Sequence, residues 1–98
     1  MAPHERRVVW TPRAERMLDD AVAYVAQDSY DAAIQIIRLA LEKAASLNVL
    51  SERGRVVPEF GTTNLRELIV ERYRLIYEVD LHEVRIVAFV HCAREMNR

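Results

Sequence analysis

The sequence predicts an α+β fold of order β-α-α-β-β-β, an antiparallel helical hairpin packed on a mainly antiparallel sheet. Three observations carry it: a short β-branched run, then two stretches with apolar residues three and four apart, then three runs of alternating character. A helix with one apolar stripe and a sheet with one apolar face each need cover, and stacking them supplies it.

The first run, RRVVWT from Arg6 to Thr11, is β-branched and stops at Thr11-Pro12, where threonine caps a helix and proline fits its first turn. From Pro12 to Gln27 the residues Ala14, Met17, Leu18, Ala21, Val22 and Val25 form one stripe, opposite Arg13, Glu15, Arg16, Asp19 and Asp20. The segment QDSYD offers Asp28, Ser29 or Asp31 as caps for a second helix, Tyr30 to Leu47. Its stripe is Ala33, Ile36, Ile37, Ala40, Leu41, Ala44 and Leu47, widened by Ile34 and Ala45. So short a connection makes the helices antiparallel, and Ala21, Ala33, Ala40 and Ala44 let them approach closely. Those small residues read as core packing, not as a cofactor site.

From Asn48 to Asn64 the pattern dissolves into a connecting loop that holds Gly54, Pro58 and Gly61, with one brief extended piece at Arg55 to Val57. Three strands follow, Leu65 to Val70, Tyr73 to Val79 and Val84 to His91, separated by ER and DLHE, a spacing that suits an antiparallel meander. Strict alternation puts Tyr73, Leu75, Tyr77 and Val79 under the helices together with Val84, Ile86, Ala88 and Val90. It sends Arg74, Ile76, Glu78, Arg85, Val87, Phe89 and His91 to the far face. The run LRELIV is ambiguous, because both of its alternating sets are mixed. Arg74, Phe89 and His91 are therefore expected to share an open face of partner-binding character.

The 98 residues make one domain, 1–98, and a content of 51% hydrophobic and 30% charged residues excludes a disordered chain. No apolar run approaches the roughly 20 residues of a membrane span. The amino end has no secretory stretch, so a cytoplasmic protein is expected. A net charge of −1 is not the bulk signature of a nucleic-acid binder. Yet Lys43 is the only lysine among 14 basic residues, so planar guanidinium groups dominate wherever local geometry matters. Cys92 is the single cysteine, and His4, His82 and His91 lack metal-ligand spacing. No phosphate loop or Gly-x-Ser-x-Gly occurs, and no metal or cofactor is expected.

The segments VVWTPRAERMLDDAVAYV, GRVVPEFGTTNLRELIVERYRLIYEV and VRIVAFVHCARE, in this order, resemble the RelE/ParE superfamily of toxins from type II toxin-antitoxin pairs. The Gly-Arg-x-Val-Pro-Glu loop, Leu-Arg-Glu-Leu, Tyr-Arg-Leu-Ile-Tyr and Val-His-x-x-Arg look like the ParE branch. The resemblance implies a first strand parallel to the last one, a cognate antitoxin as partner, association with that antitoxin, and DNA gyrase as target.

In the RelE branch the implied alternative is ribosome-dependent cleavage of messenger RNA, with Arg74, His91 and Glu67 as candidate catalytic residues. Such cleavage needs a base, an acid and cations around one phosphate. With no lysine on the sheet and no basic surplus, inhibition by direct protein binding is favoured, and Arg66, Arg74, His91 and Arg94 are the candidate target-binding residues. A third possibility is a non-toxic regulator that uses the same surface. Cysteine and alanine in VHCARE depart from the family pattern, which bears on toxic potency.

Overall fold

The computed structural model describes residues 5–61 and 64–94. Its elements are β1 (Arg7–Trp10), α1 (Pro12–Ala26), α2 (Tyr30–Ser46), β2 (Arg55–Val56), β3 (Leu65–Val70), β4 (Tyr73–Val79) and β5 (Glu83–His91). They form one α+β unit, two helices on a five-stranded sheet of order β1-β5-β4-β3-β2. β1 lies parallel to β5 and every other pairing is antiparallel. No helix among the described residues is long and apolar enough to cross a membrane.

Local chemistry sets the helix boundaries. Thr11 Oγ1 accepts the Ala14 N–H at 3.1 Å, and Pro12 occupies the first turn of α1. Of the three possible caps for α2, Ser29 is used, its Oγ accepting the Ala32 N–H at 3.1 Å. The stripes then bury Ala14, Leu18 and Ala21 of α1 and Ile36, Ala40 and Ala44 of α2 against Val70, Tyr73, Leu75, Tyr77, Val84, Ile86 and Phe89 of the sheet. In β3 the inward set is Arg66, Leu68 and Val70, because these residues pair with the inward Tyr77, Leu75 and Tyr73.

β5 departs from strict alternation. Ile76 pairs with Ala88 while Tyr77 pairs with Ile86, so Val87 is one extra residue, a β-bulge, and the pleat inverts there. Val84 and Ile86 face the helices before the bulge; Phe89 and His91 face them after it. Ala88 and Val90, expected under the helices, lie on the far face, and Phe89 and His91, expected there, do not.

That far face is not open either. Val57 and Phe60, from the segment after β2, lie over Ile76, Ala88 and Val90 and build a second small core. Burying these apolar side chains from water on both sides of the sheet is the driving force for the fold-over. The chain enters this segment through Gly54, where an added Cβ would lie 2.5 Å from the Glu67 carbonyl oxygen and 2.6 Å from Tyr77 Oη. It turns again at Gly61, whose φ of +69° suits glycine.

Candidate functional site

Arg74 sits on β4 opposite Ile69, on the face away from the helices, and reaches diagonally to Glu67 of β3. Its Nε donates to Glu67 Oε1 at 2.7 Å. Nη1 and Nη2 bind Glu59 Oε2 and Oε1 at 2.7 and 2.8 Å, a two-pronged pairing, and Nη1 also donates to the Arg94 carbonyl at 3.2 Å. Glu67 is fully buried, and its second oxygen accepts from Arg55 Nε at 2.5 Å. Register explains this contact, since Arg55 and Glu67 are partners in the β2 to β3 ladder.

The hydrogen-bonded Glu59 carboxylate raises the Arg74 guanidinium above its ordinary pKa, against the opposing effect of burial, and Glu67 adds to the rise. Arg74 is therefore a permanent cation locked between two carboxylates. Arg55, Arg94, Ile69 and Pro58 surround it in a hollow of about 430 Å³. Arg94 is exposed, and its guanidinium makes no hydrogen bond among the described residues. Ile69 is 44% exposed. This hollow presents guanidinium groups beside an apolar side chain, chemistry that recognises a carboxylate or phosphate next to apolar surface.

The structure brings Arg74, Glu67 and Arg94 together and separates them from Arg66 and His91. Arg66 points to the helix side, where its Nη1 donates to the Gly54 and Glu52 carbonyls at 2.9 and 3.3 Å and so holds the loop before β2. Its Nε is buried without a partner. The bulge puts His91 on the helix side too, edge-on to Tyr73 with ring centroids 5.4 Å apart. Its Nδ1 accepts the Ala93 N–H at 3.1 Å. Sequence reasoning gave no role to Glu59 or Arg55. The available signal was the loop GRVVPE itself, where Pro58 stiffens a segment carrying one cation and one anion four residues apart.

Elsewhere, α2 leaves Tyr30, Ile34, Ile37 and Leu41 exposed at spacings of three and four. A shallow hollow of about 350 Å³ joins the last two to Trp10 and Leu18. No group of three or more His, Cys, Asp or Glu among the described residues is arranged to hold a metal ion.

A family model described as the ParE toxin of type II toxin-antitoxin system, parDE, matches residues 8–96. Among solved structures, the fold is similar to a chain of the chromosomal ParDE TA system from P. aeruginosa. The TM-score is 0.71 at 21% identity, over 90% of this chain and 97% of that one. A search of curated proteins gave no match. From β1 through the residues that follow β5, this chain belongs to the ParE toxin family of type II toxin-antitoxin systems.

Proposed function

We propose that the chain inhibits DNA gyrase by direct protein binding and is neutralised by a cognate antitoxin. The observation that carries the choice of binding over RNA cleavage is the double carboxylate lock on Arg74. A ribonuclease needs a base, an acid and a free cation within reach of one phosphate. Here the cation is occupied, the candidate base Glu67 is buried and doubly paired, and His91 lies on the opposite face of the sheet. What remains outward is Arg94 and the outer nitrogens of Arg55 around Ile69 and Pro58, a composition suited to a protein interface.

Neutralisation has its own supporting surface. The exposed stripe Tyr30, Ile34, Ile37 and Leu41 suits an amphipathic antitoxin helix, and β1 offers a free outer edge for an added strand.

The test is a supercoiling assay with purified gyrase. The wild-type chain is expected to block supercoiling, and the product of the neighbouring reading frame to restore it. Arg94→Ala should weaken inhibition by about tenfold or more, the worth of one charge-assisted contact, with melting unchanged. His91→Gln should leave inhibition intact. Cleavage of messenger RNA on ribosomes with supercoiling unaffected would overturn the proposal.

A further inference from the structure

A groove of about 540 Å³ runs between the end of α1, the start of α2 and the β3 to β4 turn, apart from the arginine hollow. Its walls include Tyr24, Tyr73, His91, Asp28, Glu71 and Gln35, and Arg72 is the lining residue of opposite charge. Tyr73 is 8% exposed, stacks on Phe89 with centroids 5.0 Å apart, and takes His91 edge-on. That packing fixes the ring. Its hydroxyl makes no hydrogen bond among the described residues and is open to the groove, so the polar tip of a mostly packed side chain is available to a ligand there.

Other groups in the walls have unused capacity of the same kind. Tyr24 is 67% exposed, and its phenol lies close enough to that of Tyr73 to help burial raise the Tyr73 pKa. The Asp28 and Glu71 carboxylates form no ion pair among the described residues. The exposed phenol ring of Tyr24 beside two carboxylates and the Tyr73 hydroxyl matches a guanidinium or ammonium group, which takes a ring face and acceptors together.

We infer that this groove receives an arginine or lysine side chain from a segment of a protein partner, held against the exposed ring of Tyr24 and between the Tyr73 hydroxyl and the carboxylates of Asp28 and Glu71. The apolar floor at Val25 and Ile36 takes the stem of that side chain, as long cationic side chains lay their methylenes on apolar surface. The inference is independent of gyrase as the target.

The experiment follows the aromatic NMR signals of the full chain during titration with a short peptide bearing one arginine between two leucines. Its citrulline counterpart, with no charge, is the control. Saturable shifts at Tyr24, Tyr73 and His91, weakened about tenfold or more by citrulline and by Asp28→Asn with Glu71→Gln, support the proposal. Tyr24→Ala, an exposed position whose loss leaves the core intact, should weaken binding likewise. Equal binding of the citrulline peptide makes the groove merely apolar and overturns it. So does equal binding of free agmatine, which assigns the groove to a small cation, or the absence of shifts at these residues.

Discussion

Arg74 and Glu59 meet fork to fork, with both guanidinium Nη atoms on both carboxylate oxygens at 2.7 and 2.8 Å, and this pair clasps the segment after β2 onto the sheet. Glu67 completes the lock from within β3. Removing the arginine leaves one oxygen of the fully buried Glu67 without its cation, with Arg55 alone on the other, so Arg74→Ala is expected to destabilise the chain by about 3 kcal/mol. Urea denaturation measures it. A loss under 1 kcal/mol would mean that water or rearrangement replaces the guanidinium. Any loss of toxicity in this variant is then a loss of folded protein.

Arg94 gives the contrast, since only its backbone carbonyl enters the lock. Arg94→Ala keeps that carbonyl and should change stability by less than about 0.5 kcal/mol, as surface substitutions do. Comparing urea midpoints of the two variants separates folding from target binding. A midpoint shift for Arg94→Ala as large as that of Arg74→Ala would contradict the assignment.

Gly54 has no room for a side chain, and its N–H donates to Tyr77 Oη at 2.9 Å. Gly54→Ala should cost about 1 to 3 kcal/mol or more through overpacking against backbone. Tyr77→Phe should cost about 1 to 3 kcal/mol, because it leaves a buried donor unpaired. Calorimetric melting of both variants checks this, and a neutral Gly54→Ala would show that the loop can withdraw from β3.

Below pH 4 the β4 to β5 connection should weaken. Asp80 accepts the His82 and Glu83 N–H groups at 2.9 and 2.8 Å and pairs with Arg85 at 2.7 Å. The Arg85 hydrogen bond first, then those two N–H groups, hold its carboxyl at about 2, below its ordinary 3.8. Glu83, paired with Arg85 and Arg7, is lowered as well. A carboxyl depressed in the folded state binds its proton more readily when unfolded. Its stabilisation is therefore full above its ordinary range and is lost as pH falls toward 2. Asp80→Asn keeps the acceptor and removes the charge. Its urea midpoint should fall less than the wild type's between pH 4 and 2, and the difference should shrink in high salt, because the group is exposed.

Glu71 opens the two-residue turn between β3 and β4 with φ at +56°. That left-handed conformation costs an L side chain energy that glycine avoids. Glu71→Gly should therefore raise stability by up to about 1 kcal/mol, read as a higher melting temperature. A lower one would show that the side chain is held by contacts worth more than the strain.

Sequence alone determined the elements, since each is written in a local period. The stripes of α1 and α2, the cap at Thr11 and the runs of β3 to β5 depend on neighbours within a few residues, and the structure has each of them within a residue or two, whereas the choice of Ser29 over Asp28 and Asp31 as the cap of α2 came from the structure. Tertiary structure decided which face each strand residue serves. Alternation counts along one strand, but the bulge at Val87 arises from how β5 pairs with β4, and it carries Phe89 and His91 to the helix side. It also decided the fate of the arginines. Arg74 reads as a surface cation until the segment after β2 folds back over Ile76, Ala88 and Val90 and brings Glu59, 15 residues away in the chain, onto it. The period of a strand is a local property, whereas strand register and the return of a loop depend on apolar surface elsewhere that must be covered.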